Sequence, residues 1–134
     1  MTDVRHFDRF ALRAPDSAAA AVAEDLPRWN LTDLYKGPDD PAIEADLTWA
    51  EGAAKAFSDA YKGRLADLSG ADLGKAVADY EAIGEKLGRV MSFAGLKFAE
   101  NMEDGASARF QQSMSERCTD ISSLTLFFTL ELNR

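Results

Sequence analysis

Ser69-Gly70-Ala71-Asp72-Leu73-Gly74-Lys75-Ala76-Val77-Ala78-Asp79-Tyr80-Glu81-Ala82-Ile83-Gly84-Glu85-Lys86-Leu87-Gly88-Arg89-Val90-Met91-Ser92-Phe93-Ala94-Gly95-Leu96-Lys97-Phe98-Ala99-Glu100-Asn101 is the stretch on which the fold turns. Leu73, Val77, Tyr80, Leu87, Met91, Ala94 and Phe98 make an apolar stripe at helical spacing. Ser69, followed three residues later by Asp72, resembles a capping box. Together they predict a helix over 70–101.

Working toward the N-terminus, Pro41 is tolerated at a first helical position, and Asp40 before it is a cap. Ile43, Leu47, Ala50, Ala54, Phe57 and Tyr61 form the stripe, and Gly63 stops it, so a first helix is predicted over 41–62. On the other side, beyond Asn101 to Gly105, Phe110, Met114, Cys118, Ile121, Thr125, Phe128 and Leu132 recur at steps of three and four and predict a third helix over 105–132. No alternating Val/Ile/Thr run is bounded by Asn-Gly or Asp-Gly, and the connections are only about 4 to 7 residues. The fold class is therefore all-α, an antiparallel long-helix hairpin array of about three main helices.

Ahead of the first helix, residues 29–38 set Trp29, Leu31 and Leu34 among turn formers and close with Gly37-Pro38. They read as an irregular segment anchored on the helices by those three side chains. Residues 1–28 contain Pro15 and Pro27 and no sustained apolar period; they are read as a loosely ordered leader with at most a short helix near 17–25. The domain reading is thus a leader over 1–28 and one helical domain over 29–134.

The formal net charge of −8, from 23 acidic and 15 basic residues, disfavours phosphate backbones and anionic lipid surfaces. Nor do the basic residues cluster, and no nucleic-acid or membrane partner is expected. Leu124 to Leu132, the most apolar stretch, falls far short of the ~20 residues that span a bilayer. A single cysteine, Cys118, leaves no intramolecular disulfide and fits a reducing compartment, the cytoplasm.

Chemistry-bearing residues are few. A helical zinc site needs His-Glu-x-x-His with both imidazoles on one face, and the one histidine, His6, lies in the leader. Cys118 falls in the apolar register of the third helix and reads as a small core residue. Glu100, Glu103 and Asp104, and Asp39 with Asp40, sit at helix ends, where acids act as caps. Trp29 and Trp49 read as core aromatics. Gly84, Gly88 and Gly95 fall on one side of the second helix, each costing up to ~1 kcal/mol relative to Ala, which predicts close approach of another backbone, by tight packing within this domain or, alternatively, by a partner domain or peptide seated there. No catalytic, cofactor-binding or metal residue is assigned.

The segment Leu26-Pro27-Arg28-Trp29-Asn30-Leu31-Thr32-Asp33-Leu34-Tyr35 resembles the Pro-x-Trp-(Asp/Asn)-Leu-(Ser/Thr)-Asp-Leu-(Tyr/Phe) opening of the oligoendopeptidase F family of zinc metallopeptidases. Phe57, Tyr61-Lys62-Gly63-Arg64-Leu65, Tyr80-Glu81 and Leu87-Gly88-Arg89-Val90-Met91-Ser92-Phe93-Ala94 follow in a similar order. Leu126-Phe127-Phe128-Thr129-Leu130-Glu131-Leu132 is similar to the family's Leu-Phe-Phe-x-Leu-Glu-Leu. The resemblance covers roughly residues 26–134. It implies a helical N-terminal region that helps wall a channel for short peptides, with zinc held by residues far downstream of Arg134. No catalytic residue and no cofactor is carried over to this chain. The third helix is apolar on more than one face around Leu124, Phe127 and Leu130, with no Gly or Pro stop. Two coverings are expected for it, a downstream catalytic domain or a second copy of the chain, and a free-standing helical interaction or scaffold module is the alternative reading.

Overall fold

The computed structural model describes residues 29–133. The leader reading for 1–28, its short helix near 17–25, and His6 lie outside them, as does Arg134. Four helices follow one another: α1 over Pro41–Tyr61, α2 over Gly70–Glu100, α3 over Gly105–Ser123 and α4 over Leu126–Leu132, with a 3-10 turn at Leu65–Asp67. The described residues contain no strand, and the three long helices pack on one another.

Capping sets the boundaries. Asp40 accepts the Ala42 N–H at 2.9 Å with one oxygen and the Lys36 N–H at 2.8 Å with the other, so one carboxylate starts α1 and closes the preceding turn. Ser69 accepts the Asp72 N–H at 3.1 Å, and its hydroxyl donates to the Asp72 carboxylate at 2.6 Å. Asp104 takes the N–H groups of Ala106 and Ser107 and the Ser107 hydroxyl. Gly63, just past α1, has φ +75°, the left-handed conformation in which glycine suffers no Cβ clash.

Packing follows a four-three alternation. In α1 the predicted Ile43, Leu47, Ala50, Ala54 and Phe57 are all buried. In α2 the core set is Ala76, Ile83, Leu87, Val90, Phe93 and Ala94, with Tyr80 packed against it. Val77, expected inside, is 37% exposed. The seam therefore lies about one residue round the helix from the predicted stripe. Gly84, Gly88 and Gly95 lie off that seam, and a methyl group placed at any of them meets no atom within 4 Å. The expected tight packing of that face within the domain is corrected accordingly.

The third predicted helix is two helices. At the break, Leu124 and Thr125 make i→i−3 backbone bonds to Ile121 and Ser122. The Ser123 hydroxyl donates to the Asp120 carbonyl at 2.6 Å and the Thr125 hydroxyl to Ser122 at 3.0 Å. Hydroxyls bonded back onto the preceding turn bend a helix. The bend buries Phe127 as well as Phe128 and leaves Leu126, Leu130 and Leu132 outside, so of the expected face Leu130 is exposed, while Leu126 and Leu132 take the places of Leu124 and Phe127.

Because the space at Gly84 and Gly88 is open and both lie mid-helix, Gly84→Ala and Gly88→Ala should each raise unfolding stability, by up to about 1 kcal/mol. Urea denaturation measures this; a loss of stability in either variant would mean a neighbour occupies that face.

Candidate functional site

The densest polar construction lies where residues 31–37 meet α1 and α2. The Leu34 and Tyr35 N–H groups both turn back onto the Leu31 carbonyl, and Asn30 holds Thr32 through its side chain. This turn drives Tyr35 into the core at 2% exposure, edge-on to Phe93 with ring centroids 5.4 Å apart. Leu31 and Leu34 pack as expected, but Trp29 is 57% exposed. Tyr35 is the anchor, not Trp29.

Three charged side chains gather around that anchor. The Tyr35 hydroxyl donates to Asp46 at 2.7 Å, and the Lys86 ammonium donates to the other Asp46 oxygen at 2.7 Å. Arg89 lies 4.8 Å over the Tyr35 ring and donates to the Leu34 carbonyl at 2.6 Å and more weakly to that of Asp33 at 3.3 Å. Burial, then the bond to Asp46, pushes the Tyr35 hydroxyl well above its ordinary range. Burial works against ionisation of Asp46, yet the bonds from Lys86 and Tyr35 outweigh it and hold its carboxyl below the usual range. Both groups are moved away from neutrality. General acid–base work is best served by a pKa near the operating pH, and the shifts of Tyr35 and Asp46 instead suit a clamp on the anchoring segment.

Three of the acids singled out from sequence are similarly occupied, Asp40, Asp104 and Glu100. Asp40 and Asp104 are the caps described above; the Lys36 and Ala42 N–H bonds lower the pKa of Asp40, and the Ser107 hydroxyl, then the Ala106 and Ser107 N–H bonds, that of Asp104. Glu100 receives Lys97 at 2.8 Å. Cys118 is buried at 4% exposure, and burial raises its thiol pKa against the pull of Arg117. No group of three His, Cys, Asp or Glu among the described residues is placed to hold a metal. No helix of the described residues is long and apolar enough to cross a membrane.

Among the described residues the surface also carries open grooves. The first, about 330 Å³, lies between α1 and α2 and is lined by Trp49, Ala53, Ala56 and Ala60, with Tyr61, Lys75 and Asp79 at its polar end. Lys75 donates to Asp79 at 2.7 Å and Tyr61 donates to the same oxygen at 3.0 Å. Trp49, expected in the core, is 48% exposed, because it steps off the 43/47/50/54/57 seam. The second, about 240 Å³, runs between α2 and the α3–α4 bend past Tyr80, Gly84, Leu87, Thr125, Leu126 and Thr129. The third, about 280 Å³, is bounded by Trp29, Leu31, Pro38, Phe93 and Lys97. No family model, no curated protein and no solved structure matches this chain.

The clamp predicts a pH dependence with a definite sign. The folded-state pKa of Asp46 is depressed, so its contribution is complete above the unfolded carboxylate value near 3.9 and is lost as pH falls through the lower folded value. Asp46→Asn should therefore lower stability at pH 7 by about 1–3 kcal/mol, and the gap from wild type should close below about pH 4. Chemical denaturation at pH 7, 5 and 3 reads it; a gap independent of pH would assign the loss to packing.

Proposed function

We propose that this chain is the helical N-terminal part of a short-peptide peptidase of the oligoendopeptidase F kind, forming part of the wall of its substrate channel. One observation supports the reading most: the separate stretches that carry the resemblance make contact with one another. Arg89 of the middle stretch holds the Leu34 carbonyl and covers the ring of Tyr35 in the opening stretch. Gly63 donates its N–H to Glu131 of the closing stretch at 2.8 Å. Phe57 packs on Tyr61, Tyr80, Phe127 and Phe128. Residues that form joints define a frame, and a frame is what the resemblance implies for this region.

On this reading the described residues of this chain do not hold the zinc of such an enzyme. A catalytic zinc needs about three His, Glu, Asp or Cys donors converging with one position left open. The described acids are spread among caps and ion pairs, and Cys118 is a buried thiol. On this reading the metal and the proton-transferring carboxylate come from downstream residues. The surfaces left for a wall are the grooves, the Trp49–Ala60 face first among them.

A second reading is favoured by Leu126, Leu130 and Leu132, which are 57%, 60% and 49% exposed on one short helix. Such a face is suited to self-association or to a scaffold role for a free-standing module.

The first reading is tested with this chain and a version extended into the downstream coding sequence, each assayed on a quenched peptide of under a dozen residues with and without chelator. Chelator-sensitive cleavage and stoichiometric zinc are expected in the extended version alone. Turnover by the short chain would overturn the assignment, and silence from both would favour the interaction module. For the second reading, sedimentation at tens of micromolar should show a dimer that Leu126→Ser with Leu130→Ser converts to monomer; a clean wild-type monomer counts against it.

A further inference from the structure

The stripe along the third predicted helix does not stop at the bend. Met114, Cys118, Ile121, Thr125, Phe128 and Leu132 alternate steps of four and three residues straight through Leu124 and Thr125, the spacing of a continuous helical seam. The observed chain follows this seam to Phe128 and then leaves it. Phe127, off the seam, is buried at 9% exposure, while Leu132, on it, is 49% exposed. One sequence thus carries two packing registers.

Nothing covalent or steric fixes the bend. Leu124 has φ −67° and ψ −25°, and Thr125 φ −102° and ψ −2°, both in the right-handed region. These are the central torsions of a type I turn, and ψ shifts of roughly 20–40° convert them to α-helix. No glycine, proline or positive φ stands there. The Ser123 and Thr125 hydroxyl bonds favour the bend locally, and two contacts distant in sequence hold it: Phe127 against Phe57 at 5.5 Å, and Glu131 accepting the Gly63 N–H.

A seat for the straight form is also present. Phe93 meets Phe110 and Tyr80 meets Phe128, so α3 and its continuation run antiparallel to α2. At 1.5 Å per residue, a straight continuation carries Phe128 and Leu132 toward the turns of Val77 and Leu73. Val77 is one of the exposed large apolar residues, and Leu73 is half-buried. The 31 residues of α2 extend far enough to receive it.

We propose that Leu124–Thr125 is a hinge and α4 a strap with two seats, one latched on Phe57 and Gly63, the other continuous with α3 and resting over Val77 and Leu73. Swinging the strap withdraws Phe127 from the aromatic layer and remodels the groove that Leu126 and Thr129 line. The inference does not depend on the peptidase reading, since it uses only contacts within this chain.

Spin labels at Ser113→Cys and Leu130→Cys, both exposed sites, measure it by electron–electron resonance, with the buried Cys118 left in place. A continuous helix separates these backbone positions by about 25 Å, and the bent chain brings them closer. Wild type should show both distances, the shorter dominant. Glu131→Ala should raise the longer fraction about two- to tenfold, the equivalent of one lost hydrogen bond, and Val77→Ser should lower it. A single short distance in wild type and in Glu131→Ala, with helical circular dichroism unchanged, would overturn the hinge. So would a broad spread without a peak near the continuous-helix distance, which marks fraying.

Discussion

Phe57 stands where α1, α2 and α4 converge, and its ring touches four others. Tyr61 lies at 5.0 Å, Phe128 at 5.2 Å, Phe127 at 5.5 Å and Tyr80 at 6.0 Å. Tilted and edge-on arrangements at these separations add about 0.5–1.5 kcal/mol per pair beyond burial, so this layer outweighs any surface ion pair in the molecule. It also fixes geometry. The α1–α2 hairpin is closed by a short turn through Gly63 and Leu65, and Phe127 reaches that corner only because α3 breaks. Glu131 then satisfies the Gly63 N–H that the left-handed glycine turns outward.

At the far end of the hairpin a polar construction does comparable work. Tyr35 is the plug, and Asp46, Lys86 and Arg89 hold it from two helices. An exposed ion pair contributes ~0–1 kcal/mol, as for Lys55 with Glu51 or the Glu44–Arg117 pair that ties α1 to α3. Asp46 differs because only 13% of its side chain is exposed and both its oxygens are engaged. Removing one partner there leaves a largely buried charge short of a bond, which costs more than the pair itself contributes.

The long helices were legible because their starts and stripes use local signals. Asp40 before Pro41, Ser69 before Asp72 and the repeats of α1 depend only on neighbouring residues. What escaped was decided at longer range. Val77 and Ile83 are equally good stripe members by spacing, and only the placement of α1 and α3 selects Ile83. Trp29 and Trp49 looked like core by size alone, whereas Tyr35 earns its burial through a hydroxyl partner eleven residues away. The bend at Leu124 has a local signature, Ser122-Ser123 followed by Thr125, but the alternation running through it pointed to a straight helix. Of the candidate site residues, Cys118 and the capping acids were placed by sequence in the roles the structure gives them, and the glycine face was not. Glycine spacing shows that a side chain is absent; it carries no information on whether anything fills the gap.

The division of polar and apolar groups bears on what such a chain does. Its charged side chains are largely committed to caps, clamps and pairs, and the shifts they induce move Asp46 and Tyr35 away from neutrality. The described surface also carries large exposed apolar side chains: Trp49 above an alanine floor, Val77 on α2, and Leu126, Leu130 and Leu132 on α4. Reaction chemistry demands polar groups held ready and unsatisfied, whereas shape recognition demands apolar surface kept open. The second pattern underlies both proposed roles, a channel wall and an interaction module, and it directs attention to the faces of Trp49 and of α4 in preference to any titratable side chain.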